Sequence, residues 1–231
     1  MGHKYLGEKF DIHGGGIDLK FPHHDCEIAQ SESVYGHNPA NYWIHTNMLT
    51  LNGKKMSKSI GNSVFPNEIF DGSNKIFSKK FNPMTLKFFM YQAHYRNTLD
   101  ISNDALIAAE KGFEKIITLK NDINGLVESD ESDFKAAEWV NQCYDALNDD
   151  FNSPRLIAKL FDLYKIVQDI KIRNKHINSK NLKILKKFFP IFYSEILGLD
   201  YNTSSNVKYD AILNLILELR EKERLNKNYK T

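Results

Sequence analysis

The chain of 231 residues carries 31 lysines and arginines against 29 acidic residues, and 42% of its residues are hydrophobic. This length and composition suffice for two modest domains, and no apolar run approaches the roughly 20 residues of a membrane span. The first residues also lack the apolar segment of a secretory signal. The only two cysteines, Cys26 and Cys143, are far apart in sequence, which argues against a disulfide framework, so we expect a reducing, cytoplasmic location.

The first informative stretch, residues 10–30, predicts a short apolar strand, three glycines and then a helix. Gly14, Gly15 and Gly16 would let the backbone approach a ligand closely or adopt a positive φ. Asp18 follows them and is placed to accept hydrogen bonds from ribose hydroxyls, as carboxylates do in many nucleotide sites. The same glycines are also typical of a plain strand-to-helix turn, which stays open as the alternative.

The helix that follows carries a candidate metal site. Pro22 fits its first turn, and the helix is predicted to continue through Gln30. His23 and Glu27 are four residues apart, so they leave the same face and can form half of a zinc site. Cys26 is a rival ligand on spacing alone, since a thiolate is a softer zinc donor. The alternative is that His23 and His24 are ordinary helix-start residues and Glu27 a surface acid.

Residues 38–51 are aromatic and β-branched, and they predict the last strand of a sheet before an Asn52-Gly53 turn. Trp43 and His45 can face a ligand from this strand. For Trp43, burial in the core is the stronger expectation, because large aromatics dominate buried contacts.

After that turn comes a cationic, hydroxyl-rich segment containing Lys54, Lys55, Met56, Ser57 and Lys58. Ammonium groups in such a loop stabilise the charge that grows on a leaving pyrophosphate. We expect Met56 to anchor the loop by its apolar side chain. The alternative is a solvated surface turn after a hairpin strand.

Helices dominate the remainder of the chain. Residues 62–71 are typical of a connector, and a helical region is predicted to begin at residues 83–95. Apolar side chains at helical spacing predict two long amphipathic helices that form a bundle core: Leu106, Ala109, Phe113, Ile116 and Ile117 in the first, and Leu156, Leu160, Leu163, Tyr164 and Val167 in the second. Residues 129–133 predict an interhelical loop, and Ser153 is the expected N-cap before Pro154. Basic residues cluster at 171–187 and 220–230, which fits either a phosphate backbone or a solvated face.

The string Lys-Met-Ser-Lys-Ser at residues 55–59 is identical to the KMSKS signature loop of class I aminoacyl-tRNA synthetases. The resemblance implies that Lys58 contacts the phosphates of ATP, which acts with Mg²⁺, and that Lys55 and Lys58 hold the pyrophosphate while Ser57 orders the loop. It also implies that the triple glycine and Asp18 belong to the ATP site.

Residues 10–30 resemble the signature of cysteinyl-tRNA synthetases. In that family the residues that match His23 and Glu27 bind Zn²⁺ together with two cysteines closer to the N-terminus, and the residues that match His13 and His24 line the substrate pocket. Zinc there takes the cysteine thiol and so rejects serine. Cys26 stands where the family commonly has Asn, so we do not assign it as a ligand.

The resemblance implies an α/β remnant of a Rossmann-like catalytic domain followed by a mainly α-helical bundle. We expect catalytic sequence at residues 1–65, a connector at 66–95, the bundle at 96–200 and the start of an anticodon-binding segment at 201–231. The parent would activate cysteine with ATP and transfer it to tRNA(Cys). We expect the fragment, which lacks the N-terminal part of the catalytic domain, to be monomeric and inactive alone. A cysteine-amino sugar ligase of the same fold and a non-catalytic tRNA-binding fragment are the alternatives.

Overall fold

A computed structural model describes residues 2–57 and 61–200. All of these except Asp200 belong to one compact unit. It begins with a small α/β layer, which leads through a second small sheet into a bundle of helices, so the expected fold class is confirmed. None of the helices in the described ranges is long and apolar enough to cross a membrane.

The α/β layer is a βαβ unit preceded by a short helix, α1 (Gly2–Leu6). Strand β1 (Phe10–Gly16) and strand β2 (Ala40–Thr46) pair in parallel, and helix α2 (Asp25–Tyr35) connects them. A 3₁₀ turn (Ile17–Leu19) and a π turn (Lys20–His24) precede α2. The backbone of Phe21 is extended, so helical geometry begins after it, and the helix continues past the predicted residue 30 to Tyr35.

The three glycines do not form the strand-to-helix turn that was the alternative prediction. They continue β1 and pair in register with Ile44, His45 and Thr46 of β2. None of them has a positive φ. The small size of Gly15 serves close packing instead, as described below.

The stretch predicted as one strand before the Asn-Gly turn forms two strands in different sheets. The second, β3 (Leu49–Leu51), pairs antiparallel with β4 (Lys54–Lys55) and parallel with β5 (Leu99–Ile101). The β3–β4 hairpin turns over Asn52 and Gly53, whose φ values of 50° and 75° are typical of a type I′ turn. The turn prediction is therefore confirmed.

Within residues 61–200, six α-helices follow the hairpin, and most of the hydrophobic core lies among them. They are α3 (Pro66–Asp71), α4 (Pro83–Tyr91), α5 (Asn103–Asn124), α6 (Ala136–Asn148), α7 (Ser153–Lys171) and α8 (Ser179–Pro190), and a π turn (Ile191–Ile196) ends the bundle. The two predicted apolar stripes lie on α5 and α7; all of their members are buried except Ile117 and Tyr164, which pack half-buried against the core.

Two local predictions in the bundle have different outcomes. The loop at residues 129–133 does lie between α5 and α6. The N-cap of α7, however, is Asn152, whose side chain accepts a hydrogen bond from the Arg155 amide, so the prediction of Ser153 is wrong by one residue. An Asn side chain caps as well as Ser does, and Pro154 is tolerated anywhere in the first turn.

Hydrogen bonds link the end of β2 to the turn between α6 and α7 by way of Tyr95 and Arg96. There Asp150 has a left-handed backbone with φ of 53°, and its carboxylate accepts hydrogen bonds from the Tyr95 hydroxyl at 2.6 Å and from Arg96 Nε at 2.5 Å. Asn47, directly after β2, bonds in turn to the backbone of Tyr95 and Arg96. The end of β2 is therefore tied to the bundle through one short segment of chain.

Candidate metal and nucleotide site

A cluster of histidines lies on one face of the β1–β2 sheet. Side chains alternate between the faces of a strand, and the register places His13 beside Trp43 and Gly15 beside His45. His24 and Glu27 approach this face from the turn before α2 and from its first turn. Parallel strands joined by a helix thus bring together side chains that are more than thirty residues apart in sequence.

Three potential metal ligands converge in this cluster. One nitrogen of His13, one of His24 and one carboxylate oxygen of Glu27 all lie within 4.8 Å of each other. The two oxygens of Glu27 divide between two imidazoles, with Oε2 at 3.3 Å from His13 Nε2 and Oε1 at 3.1 Å from His23 Nε2. The predicted pair of His23 and Glu27 therefore does share one face, and Glu27 is the residue that connects it to the inner cluster.

Two polar atoms of the cluster are buried without a hydrogen-bond partner: His13 Nδ1 and Glu27 Oε2. The contact between Glu27 Oε2 and the other nitrogen of His13 is an electrostatic one outside hydrogen-bond geometry. Buried polar atoms are nearly always paired, so an unpaired nitrogen and an unpaired oxygen at one place are typical of a site that takes a ligand.

His24 is the buried centre of the cluster, with only 3% of its surface exposed. Its ring contacts those of His13 and Trp43, with centroids 4.7 and 5.0 Å away, and its Nδ1 lies 2.9 Å from His45 Nε2. Burial, assisted by the neighbouring His13, lowers the pKa of His24 below its ordinary value. A neutral imidazole is the form that can donate an electron pair to a metal.

Gly15 is required by this packing, and Gly16 lies close to a side chain that follows it. A Cβ on Gly15 would lie 2.8 Å from His24 Cε1 and 3.1 Å from Leu19 Cδ1. A Cβ on Gly16 would lie 2.3 Å from the Asp18 carboxylate, which folds back over that glycine. Gly14 is different, since the nearest atom to its Cβ would be the Ile44 carbonyl oxygen at an ordinary 3.7 Å.

The lysine-rich loop is held at both ends. Met56 packs half-buried against the core, as expected. The Ser57 amide donates to Asn62 Oδ1 at 2.8 Å, and Asn62 Nδ2 donates back to the Lys55 carbonyl at 3.0 Å. Lys55 itself is exposed at the end of β4, and Lys58 lies outside the described residues.

Asp100 supports the hairpin that carries this loop. Its Oδ1 accepts from the Thr50 hydroxyl at 2.6 Å and from the Gly53 amide at 2.7 Å. These hydrogen bonds hold the pKa of Asp100 below its usual range. The base of the loop is thereby fixed to β5.

Sequence reasoning did not identify every residue of the cluster. Trp43, expected in the core, is half-buried and stacks on His13 with centroids 4.5 Å apart, while its Nε1 donates to Asn38. His45 was named only as able to face a ligand, and its pairing with His24 depends on strand register. Cys26 is exposed and is not part of the convergent ligand group in the described residues.

A solved structure shares this fold. LeuRS from Agrobacterium radiobacter K84, agnB2, in a ternary complex with tRNA and LeuAMS, aligns with a TM-score of 0.55 over 75% of this chain and 24% of its own length. The identity is 14%, so this likeness concerns the fold alone.

Two family models match the sequence. Residues 1–111 match the catalytic domain of class I (C) tRNA synthetases, and residues 142–202 match the DALR domain. Fold and sequence together therefore define a class I tRNA synthetase chain. The chain is 43% identical over 235 residues to the cysteine–tRNA ligase of Bacteroides fragilis, and 39% identical over 240 residues to that of Chlorobium chlorochromatii.

The chain belongs to the cysteine–tRNA ligase family. These two alignments cover 100% of this chain and 48% of each relative, so the chain spans about half the length of the curated relatives it matches.

Proposed function

We propose that the chain carries part of the metal site and the adenylation loop of a cysteine–tRNA ligase, which activates cysteine with ATP and Mg²⁺ and transfers it to tRNA(Cys). The observation that carries the proposal is the convergence of His13, His24 and Glu27, with two buried atoms unpaired, on the layer that matches the class I catalytic domain. A metal held by such donors can bind the thiol of cysteine, the substrate that the family's name specifies.

Zinc is the ion that the donor set fits best. Imidazole nitrogens and a carboxylate are ordinary zinc ligands, and thiolates from outside this chain would complete a tetrahedral site. We assign His23 and Glu27 as ligands and His13 and His24 as pocket residues. Glu27 contacts one histidine of each pair, His23 and His13. When bound, zinc supplies a soft Lewis acid that prefers sulfur to a hydroxyl oxygen.

The proposed ATP site combines the lysine-rich loop that begins at the end of β4 with the glycines at the end of β1. Lys55 and Lys58 hold the phosphates and the departing pyrophosphate, and Ser57 orders the loop through its amide contact with Asn62. Gly14, Gly15 and Gly16 form the floor of the nucleotide site, and Asp18 accepts from the ribose.

The DALR match supports a role of the bundle in tRNA binding. Lys171 and Lys175 in its basic cluster already pair with Asp122 and Asp169, at 2.6 and 3.1 Å, so they are weaker candidates for phosphate contact than their number suggests. We keep the domain boundaries at residues 65, 95 and 200, a monomeric state and a cytoplasmic location as parts of the proposal; the two free cysteines are compatible with a reducing compartment.

Zinc binding to the chain tests the metal assignment. Because the chain supplies only part of the ligand set, we expect weak zinc binding, measured by titration at equilibrium, with the affinity reduced roughly 10–100-fold or more by His23→Ala or Glu27→Ala. His176→Ala is the matched control, because His176 is an exposed histidine of the bundle paired with Asp133 at 3.2 Å. Cys26→Ser should behave like the control.

The variants also distinguish His23 from the convergent group of His13, His24 and Glu27. If His24→Ala abolishes zinc binding while His23→Ala leaves it intact, the ion is bound by the convergent group, and the assignment of His23 as a ligand is wrong. Cysteine-dependent ATP–pyrophosphate exchange measures the other half of the proposal, and activity by the isolated chain would contradict our expectation that it is inactive alone.

A further inference from the structure

The turn between α6 and α7 contains two successive residues with a left-handed backbone. Asp150 and Phe151 both have a φ of 53°, although neither is glycine. This conformation costs backbone energy for a residue that has a Cβ, and it persists only where the surrounding structure holds it. Phe151 is 61% exposed, so burial of its ring does not account for the conformation.

Three atoms of Asp150 contact one short segment, residues 94–96. The carboxylate accepts hydrogen bonds from the Tyr95 hydroxyl at 2.6 Å and from Arg96 Nε at 2.5 Å, and the backbone carbonyl oxygen lies 3.1 Å from His94 Nε2. The side chains of Arg96 and Asp150 are 65% and 41% exposed, and ion pairs as exposed as this one contribute little to stability. Stability alone therefore does not account for an aspartate in a strained turn.

The same segment holds the junction between the two sheets. Asn47 lies in this junction, between the end of β2 and the start of β3. Its amide donates to the Tyr95 carbonyl at 2.8 Å, and its Nδ2 donates to the Arg96 carbonyl, also at 2.8 Å. The layer before the junction carries the histidine cluster, and the β3–β4 hairpin after it carries the lysine-rich loop. The placement of one relative to the other depends on how the junction is held.

These contacts also join the two matched domains. Asp150 lies within the DALR match, residues 142–202, whereas Asn47, Tyr95 and Arg96 lie within the catalytic match, residues 1–111. Tyr95 and Arg96 offer their side chains to Asp150 and their backbone to Asn47. A shift of the α6–α7 turn is thereby transmitted to the junction by hydrogen bonds alone.

We propose that Asp150 is a positioning residue, which acts through residues 94–96 on Asn47 and so sets the placement of the histidine cluster relative to the β3–β4 hairpin. The importance of this placement rests on the proposed function, since the cluster and the hairpin are the proposed metal and ATP-binding parts. The contacts themselves do not depend on that function.

Paired spin labels on the full chain test the proposal. One label is attached to Cys26, which is exposed on α2, and the other to Lys54→Cys, at an exposed position of β4. Cys143 is buried and does not compete for the label under native conditions. Double electron–electron resonance then gives the distribution of distances between the layer and the hairpin.

Asp150→Gly removes the carboxylate, and glycine accepts the left-handed backbone without strain. We expect this variant to shift or broaden the distance distribution. Phe151→Gly is the matched control, because it makes the same backbone change at the same φ and keeps the carboxylate, so its distribution should match that of the unchanged chain. Asp150→Asn keeps the shape of the side chain and removes the charge that Arg96 contacts; it should give a smaller change of the same kind.

Hydrogen exchange identifies the route. Asp150→Gly should make amide exchange at residues 46–51 about tenfold faster, because hydrogen bonds that oppose local opening of the junction are lost. Exchange in the centre of α5 should not change. Asn47→Ala should alter the distance distribution as Asp150→Gly does, and the second substitution should add nothing to the first.

Equal distributions for Asp150→Gly and Phe151→Gly would overturn the proposal. Additive effects of Asp150→Gly and Asn47→Ala would also overturn it, since the two residues would then act by separate routes. A loss of stability with an unchanged distribution would make Asp150 a structural residue and not a positioning one. Failure of the chain to bind zinc would contradict the proposed function and leave this result unaffected, because the measured distances require no bound ion.

Discussion

Gly15 decides whether the histidine cluster can assemble, and Gly15→Ala is the most direct test of its packing. The added methyl would lie 2.8 Å from His24 Cε1, whereas carbon atoms in contact are normally about 3.5–4.0 Å apart. The ring of His24 cannot move aside freely, because it is buried between His13 and Trp43. Relieving an overlap of this kind costs about 1–3 kcal/mol in a packed site.

Gly14→Ala is the matched control for this substitution. It lies in the same strand, and its methyl would meet only the Ile44 carbonyl oxygen at 3.7 Å. Both alanines restrict the unfolded chain and gain about 0.4–1 kcal/mol from that effect. The entropy gain cancels in the comparison, so the two variants should differ by about 1–3 kcal/mol, with Gly15→Ala the less stable.

The assay should report on the α/β layer, because both substitutions lie in β1. The chain has two tryptophans, Trp43 and Trp139, so a Trp139→Phe background leaves Trp43 fluorescence to report on the cluster alone. Urea unfolding of both variants in this background gives the comparison. Equal midpoints for Gly14→Ala and Gly15→Ala would refute the argument that close approach to His24 requires the glycine.

Three further outcomes follow from burial and charge elsewhere. In the native chain Cys26 is exposed and should react quickly with a thiol reagent, while burial raises the pKa of Cys143 to about 12 and should protect it until denaturant is added; two rapid thiols would contradict this. Arg96 donates to Asp150 and holds the pKa of that carboxyl below its ordinary value, so the stability it contributes is present at neutral pH and is lost as the pH falls through the lowered pKa. The difference in Tm between the unchanged chain and Asp150→Asn should therefore shrink below about pH 4, and a constant difference would exclude this charge as the cause. Leu160→Ala, at a fully buried position of α7, should lower the free energy of unfolding by about 2–5 kcal/mol, measured by urea titration; a loss below about 1 kcal/mol would mean that the site collapses around the cavity.

Local pattern was enough to predict much of this chain. The apolar stripes of α5 and α7 lie in the core because a period of 3.6 residues selects one buried face. The Asn52-Gly53 turn formed as expected, since few residues other than Asn and Gly adopt the positive φ values of a tight hairpin. The His23–Glu27 contact likewise follows from one turn of helix.

Other features depended on contacts that no local pattern contains. The glycines could have formed a strand-to-helix turn or allowed a positive φ, but pairing with β2 extends them into the strand. The small size of Gly15 matters because His24 approaches it from a distant part of the sequence. Trp43 lies in the histidine cluster and not in the core, because the parallel register places it beside His13. The N-cap of α7 is Asn152 and not the predicted Ser153, because neighbouring polar side chains can compete for the same backbone amides.

By itself, the sequence determined the buried stripes of α5 and α7, the hairpin turn and the family, because periodicity, turn residues and signature strings act over a few positions. Only the tertiary structure decided that His13, His24, His45 and Glu27 meet at one place, and that Ile12 and Tyr42 face away from it. Strand register and helix crossover set these relations, and both are fixed by pairing between segments that are distant in sequence.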